Sequence, residues 1–277
     1  MNSINCKGKL LSFAEPLIMG IINATPDSFY EGYLQMGVGG IGAIADKMIA
    51  DGADILDVGG QSTRPGSKRI AVQVEMDRVL PVIESLHKKY PGTIISIDTY
   101  SSEVAKAAIA AGASIVNDVS AGNMDQGMIG TVASMKVPYI CMHMQGTPDT
   151  MQKEPVYTDV VKDVLDFFIC KLDECNKAGI TDIIIDPGFG FGKTIEHNFQ
   201  LLKRLAVFSI INRPILAGLS RKSTISKTLG ITAAESLNGT SVLNTMALMN
   251  GVSILRVHDV KEAREAITLF SAYKKAP

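Results

Sequence analysis

Eight short runs rich in Ile, Val and Leu recur along the chain, most of them closing on a polar residue, a glycine or a histidine, with helical segments between them. They are Leu17 to Asn23, Ile55 to Gly59, Thr93 to Asp98, Ser114 to Asn117, Tyr139 to His143, Asp182 to Asp186, Pro214 to Ser220 and Ile254 to His258. Their apolar character is nearly continuous rather than alternating, which is the pattern of parallel strands covered on both faces. The intervening helical segments include Val72 to Tyr90, Ser101 to Ala111, Val156 to Ala178, Ala233 to Asn250 and Val260 to Lys274. Gly92, Gly112, Gly179 and Gly251 punctuate four of the junctions ahead of strands. The repeated phrase of helix, glycine and strand predicts an α/β chain closed as a (β/α)8 TIM barrel. An open doubly wound sheet stays as the alternative, because period and composition alone do not separate six or seven strands from eight closed ones.

With 277 residues, the chain fits one such barrel, and residues 1–277 are read as a single domain. The segment 1–14 precedes the first run and holds a Lys7-Gly8-Lys9 turn, so a short N-terminal β-hairpin is expected against the N-terminal mouth of the barrel. Lys plus Arg number 27 against 28 Asp plus Glu, a balance that gives no reason to expect nucleic acid or an anionic membrane. Any phosphate must then be held by a local site. The four cysteines, at 6, 141, 170 and 175, form no CxxC pair, and no apolar stretch approaches a membrane span. A reducing, cytoplasmic setting is expected.

Polar residues at the ends of barrel strands all reach one rim, where such barrels do chemistry. Asp98 and Asp186 offer carboxylate acceptors suited to the N–H and amino array of a heterocycle, and Asn117 both donates and accepts. Lys222 adds a mobile cation, and Arg256 a planar guanidinium that can stack on a ring or grip a phosphate. Each aspartate alone could be a helix cap, but that reading weakens when both stand beside Asn117 and Lys222. The set describes a planar, donor-rich ligand.

Two long loops carry a different chemistry. Asn23-Ala24-Thr25-Pro26-Asp27-Ser28-Phe29 and Gly59-Gly60-Gln61-Ser62-Thr63-Arg64-Pro65-Gly66 have the composition of segments that close over substrate. Arg64 offers a fork for phosphate with the Thr63 hydroxyl beside it, and His258 can donate to the same group. Asn23 can supply a neutral oxygen to Mg2+, which keeps most of its waters and bridges to phosphate oxygens. The glycine-rich Asp186 to Thr194 stretch resembles a Walker loop only superficially, because Pro187 stands where the first glycine is required. Gly190 and its neighbours instead let the backbone approach a flat ligand edge, braced by Phe189 and Phe191. His143 reads equally as a strand-end structural histidine and as a catalytic one; Ser220 and Ser223 lack a Gly-x-Ser-x-Gly elbow, and the four scattered histidines argue against a zinc site.

Seven ordered stretches, MGIINATPDSF, DVGGQSTRPGS, IISIDT, IVNDVS, IIIDPGFGFGKT, LAGLSRKS and ILRVHDV, resemble the successive strand-end motifs of the dihydropteroate synthase family from about Ile18 to Asp259. The two loop signatures, NxTPDSF and GGxSTRPG, are the most specific. The chain departs from the family pattern at Ala24, at Gln61 where Glu is frequent, and at Tyr30-Glu31-Gly32-Tyr33.

The resemblance implies an aryl-transferring enzyme of folate biosynthesis and a sulfonamide target. Its reaction condenses 6-hydroxymethyl-7,8-dihydropterin diphosphate with 4-aminobenzoate to 7,8-dihydropteroate and diphosphate, assisted by Mg2+ at Asn23. By likeness to the family, Thr63, Asp98, Asn117, Val119, Met142, Asp186, Gly190, Phe191, Lys222 and Arg256 serve the pterin. Asn23, Arg64, Arg256 and His258 serve the diphosphate, and Phe29, Pro65, Ser220 and Lys222 the 4-aminobenzoate. Asp98, Lys222, Arg64 and Asn23 are the expected catalytic set. A homodimer through the C-terminal helices is implied as well. A pterin- or folate-dependent methyltransferase domain would not need Arg64, Arg256 and His258 together, and a noncatalytic pterin-binding paralogue would be expected to lose Asn23, Arg64 or Lys222.

Overall fold

The computed structural model describes residues 3–25, 37–64, 66–151 and 155–277. Strands β1 (Ser3–Cys6) and β2 (Lys9–Ser12) pair antiparallel as the expected hairpin. Its two-residue turn places both Lys7 (φ 53°) and Gly8 (φ 91°) in the left-handed region, which matches the twist of the flanking strands.

Eight further strands follow: β3 (Leu17–Asn23), β4 (Ile55–Gly59), β5 (Ile94–Asp98), β6 (Ile115–Asp118), β7 (Tyr139–Met142), β8 (Ile183–Asp186), β9 (Leu216–Ala217) and β10 (Ile254–Val257). All are parallel, in the order β8-β7-β6-β5-β4-β3-β10-β9. A parallel bridge between Ile185 and Ile215 joins the two ends, with the Ile185 N–H donating to Pro214 O at 3.0 Å. The sheet is therefore a barrel and not the open alternative.

The helices are α1 (Gly37–Ala50), α2 (Val72–Lys89), α3 (Ser102–Ala111), α4 (Met128–Met135), α5 (Val160–Ala178), α6 (Ile195–Lys203), α7 (Ser223–Leu229), α8 (Leu237–Met249) and α9 (Val260–Lys275), with a 3-10 turn at Leu205–Ile211. Four of them, α1, α4, α6 and α7, lack a clear sequence signature: α1 opens on glycines and the others have seven to nine residues. Helix α5 starts at Val160, later than expected, because Asp159 caps it by accepting from the Val161 and Lys162 N–H groups. Helix α8 starts at Leu237 rather than Ala233; Arg221 Nη1 draws the Ala233 and Ala234 carbonyls out of helical pairing, at 3.2 and 2.8 Å. The strand expected over Pro214 to Ser220 shrinks to two laddered residues, as Pro214 has no N–H to give.

Side chains alternate across the barrel wall. Outward residues such as Val58, Ile97, Val116, Cys141 and Ile185 pack against the helices in the main core. Inward residues Met19, Ile55, Ile94, Ile115, Ile140, Ile184, Leu216 and Ile254 fill the N-terminal end, where Ile4, Cys6 and Leu11 of the hairpin cap them. Ile4 is 1% exposed, so its burial contributes roughly 1.5–3 kcal/mol. The hairpin seals the lower mouth and leaves the upper one open for chemistry.

Candidate functional site

Above this apolar plug the inward positions turn polar. Parallel register sets Asp57 beside Ser96, Gly59 beside Asp98, Asp98 beside Asn117, and Met142 beside Asp186. One residue gathers them. Arg256, inward on β10, donates from Nε to Asp57 Oδ2 at 2.7 Å and from Nη2 to Asp98 Oδ2 at 2.5 Å. Asn117 Nδ2 donates to the same Asp57 oxygen at 3.0 Å. Asp57 is fully buried, so it acts as a hub that orients both the arginine and the amide.

The charges at this layer tune one another. Burial, helped by repulsion from Asp57, Glu75 and Asp118, pushes the Asp98 carboxyl up to about 7 against the pull of Arg256. Burial opposes the Arg256 charge, yet Asp57 and Asp98 together hold it firmly protonated. Asp186 is also raised by burial, and Lys222 and the Gly188 N–H, which donates to Asp186 Oδ1 at 2.7 Å, work the other way. Burial brings the Lys222 amine down to about 8 despite Asp186.

Lys222 stands at the N-cap of α7 and reaches back over the loop after β8. Its Nζ donates to Phe189 O and sits 4.6 Å from the centroid of the Phe191 ring. Gly190, at φ 85°, lies under the lysine stem; a Cβ there would come within 3.2 Å of Lys222 Cδ. Tyr100, Val119 and Met142 form a separate apolar cluster at this mouth, edged by Met124, Met144 and Phe191. An apolar slot with Asp98, Asn117, Asp186 and Lys222 at its polar edge suits a flat heterocycle.

A second group lies on the rim. Arg64 is exposed in the loop after β4, yet its charge helps to lower the His258 imidazole, so the two share one neighbourhood. Packing around the His258 ring, then the Arg256 cation, brings that imidazole down to about 4, although the residue keeps an exposed edge. His258 is thus neutral near pH 7 and can donate one N–H. Ser220 Oγ lies 3.0 Å from His258 Nδ1 and accepts the His258 backbone N–H at 3.2 Å. Ser220 therefore orients the imidazole. Asn23 ends β3 beside Gly59, partly buried, and Thr63 is partly buried next to Arg64. Phe29 and Pro65, like Tyr30 to Tyr33, lie outside the described residues.

The unusual Gln61 is accounted for locally. Its Nε2 donates to Ser62 O and Lys68 O, both at 3.0 Å, while Oε1 accepts the Ile70 N–H at 2.9 Å. A carboxylate cannot make the two donations, so the amide is what folds this loop back on itself.

No cluster of three or more His, Cys, Asp or Glu able to hold a metal exists among the described residues. A single neutral oxygen at Asn23 is compatible with a Mg2+ that draws its other ligands from water and phosphate. His143 points away from chemistry: its ring packs edge-on against Phe167 at 4.9 Å, and its Nδ1 lies 2.9 Å from Lys193 Nζ. Motif reading assigns no role to Asp57 or Lys193, nor to Tyr100, Met124 and Met144 of the apolar cluster. Asp57 sits inside a strand, where the run ILDVG signals only a polar interruption, and Lys193 reads as the tail of a failed phosphate loop.

Residues 19–258 match the family described as pterin binding enzyme. The dihydropteroate synthase of Escherichia coli (strain K12) is 42% identical over 268 residues, which span 96% of this chain and 94% of that protein. Among solved structures, the Yersinia pestis dihydropteroate synthase in a sulfonamide drug complex superposes with a TM-score of 0.95 at 37% identity, over 99% of this chain and 100% of that one. The Xanthomonas albilineans dihydropteroate synthase with 4-aminobenzoic acid gives 0.93 at 39% identity, over 100% and 99%.

Proposed function

The chain belongs to the pterin binding enzyme family, and from that premise we propose that it acts as a dihydropteroate synthase. It joins 6-hydroxymethyl-7,8-dihydropterin diphosphate to 4-aminobenzoate, yielding 7,8-dihydropteroate and diphosphate. The observation that carries this reading is the convergence of Asp98, Asn117, Asp186 and Lys222 on one apolar slot, with Arg64 and His258 on the rim above.

In the proposed site, Asp98, Asn117 and Asp186 accept from the pterin ring N–H and amino groups. Lys222 leaves Phe189 O to donate to the ring carbonyl, with its stem against the second substrate. Arg64 and the His258 N–H hold the diphosphate oxygens, with Arg256 beneath them. A Mg2+ held by Asn23 and the diphosphate would spread the charge of the leaving group. The methylene C–O bond breaks with its electron pair going to diphosphate, and the ring delocalises the cation left behind. Asp98 stabilises that cation more than it stabilises the ground state. The arylamine is neutral at pH 7, so its nitrogen attacks the methylene directly and releases one proton to water. The loop after β4, tied down by Gln61, helps to exclude water that would compete for the cation.

Three further readings go with this one. A two-fold dimer through α8 and α9 is supported by exposed Val242, Met246, Met249, Leu269 and Tyr273 on those helices. A cytoplasmic location is supported by four unpaired cysteines. No helix among the described residues is long and apolar enough to cross a membrane. A sulfonamide is expected to compete with 4-aminobenzoate.

The test is an assay of purified protein with both substrates and Mg2+, following diphosphate release. Turnover that requires both substrates supports the proposal. Tight pterin binding without diphosphate release would identify a noncatalytic binder instead.

A further inference from the structure

Lys193 is 2% exposed, and among the described residues its ammonium forms no ion pair with a carboxylate. Its Nζ lies 2.9 Å from His143 Nδ1, 3.0 Å from Gly188 O, 3.0 Å from Phe191 O and 3.3 Å from His143 O. Three carbonyl oxygens and an imidazole nitrogen therefore converge on one cation. Burial brings the amine down to about 7, with Asp186 opposing that fall and Lys222 adding to it. His143 is held neutral, its pKa lowered to about 2 by burial first and by Lys193 second, so Nδ1 accepts from the ammonium rather than competing with it.

Glycines at 188 and 192 make this closeness possible. Gly188, at φ 70°, leaves no room for a Cβ against the His143 carbonyl, and Gly192, at φ 59°, none against the Gln145 backbone. The loop after β8 thus lies directly on the chain leaving β7, with carbonyl dipoles facing one another. Without the lysine those dipoles repel, and the His143 and Phe191 carbonyls lose their donor, whereas Gly188 O keeps the Phe191 N–H at 3.1 Å.

The same loop sets two groups of the slot. Gly188 N–H fixes Asp186 Oδ1 at 2.7 Å, and Phe189 O, Gly190 and the Phe191 ring form the seat of Lys222. We infer that Lys193 is a positioning residue for the pterin half of the reaction: it staples residues 188–191 to His143, and so aims Asp186 and Lys222 without touching substrate itself. This rests on the dihydropteroate synthase reading above. It also gives His143 a role, as the acceptor that anchors the staple to β7.

The two substrates depend on the staple unequally. The pterin is served by both groups that the staple aims, Asp186 and Lys222. The 4-aminobenzoate side shares only the Lys222 stem and has Ser220, paired with His258, as a further support. Loosening the staple should therefore weaken pterin recognition more than 4-aminobenzoate recognition. Lys193→Met keeps the length and removes every donor; Lys193→Gln keeps two N–H donors and serves if the methionine variant does not fold. In steady-state assays we expect the KM for pterin diphosphate to rise roughly tenfold or more in Lys193→Met and about threefold in Lys193→Gln, as expected for losing one or more buried hydrogen bonds. The KM for 4-aminobenzoate at saturating pterin diphosphate should rise less, by about threefold at most in Lys193→Met. Calorimetric titration with pterin diphosphate alone should show the same ranking. A folded variant with unchanged pterin affinity, or with both substrates weakened alike, overturns the inference. Wild-type protein run in parallel keeps the readings apart: its failure to turn over would reject the synthase reading, while the titration still judges the staple.

Discussion

Arg256 reaches past β3 and β4 to set its Nη2 2.5 Å from Asp98 Oδ2. The carboxylate proposed to stabilise the pterin cation is thereby paired with a cation three strands away around the barrel, whose pull opposes the rise that burial imposes on its pKa. Asp98→Asn keeps the size and removes the charge. The rate of carbon–oxygen cleavage should fall roughly 10- to 100-fold, with a smaller loss of ground-state pterin affinity. Single-turnover quenching at saturating pterin diphosphate, paired with equilibrium titration, separates the two. Weak binding with normal cleavage would make Asp98 a docking residue.

The raised Asp98 pKa also sets a pH dependence. The ionised form is the useful one, so the chemical step should climb as pH rises through about 7 and then level off. Stability runs the other way. Between the ordinary value of 3.8 and about 7 the folded protein keeps a proton that the unfolded chain has released, so stability declines as pH rises through that window. Asp98→Asn should lose the acid limb of the rate profile and flatten the decline in urea midpoint between about pH 4 and about pH 7.

Lys222 supplies the opposite limb. Its amine, brought down to about 8, loses its proton as pH rises through that value, and activity that needs the ammonium should fall with it. Lys222→Ala should raise the KM of both substrates by roughly tenfold, since one side chain is proposed to serve both. Lys222→Arg should restore the charge above about pH 8 but misplace it over the Phe191 ring, so that the alkaline limb disappears while the maximum stays low. A lower melting temperature with normal activity per folded molecule would remove Lys222 from the site.

Arg64 and Asn23 should part in a magnesium titration. Arg64→Ala is expected to raise the KM for pterin diphosphate about tenfold at any Mg2+ concentration. Asn23→Ala should instead raise the Mg2+ midpoint several-fold, because it removes a ligand without altering charge. An unchanged midpoint would place the metal elsewhere.

Asp118 offers a contrast behind the barrel wall. Its fully buried carboxylate accepts from the Ser120 N–H and hydroxyl at 2.8 and 2.7 Å, and from the Gly122 N–H and Tyr139 hydroxyl at 2.7 Å each. Asp118→Asn turns an –NH2 toward donors and should cost about 2–4 kcal/mol of stability. Urea denaturation measures this. Activity per folded molecule should stay near that of the parent.

Asp98, Asn117 and Asp186 were legible because strand-end position is itself a signal, and the barrel converts eight such positions into one rim. The lower plug was legible for the same reason, since Ile4 and Leu11 are apolar residues flanking a Lys-Gly turn. Asp57 was not, because a mid-strand carboxylate announces burial but not its partner, and Arg256 lies 199 residues away. Lys193 was hidden by its motif: only the fold shows that carbonyls of residues 143, 188 and 191 meet at one point. The length of β9 was misjudged because Pro214 to Leu219 is apolar throughout, and hydropathy does not record which amides find partners.

That two-residue strand has a mechanical consequence. A hoop is as strong as its thinnest stave, and here the wall narrows to one bridge between the strand that ends at Asp186 and the one that leads to Ser220 and Lys222. Mild heat or denaturant should part the hoop along this seam before the helices melt, drawing the lysine away from the carboxylate it works beside. Catalysis would then fail while circular dichroism still reported a folded molecule, and bound pterin, bridging both sides, would act as the rivet.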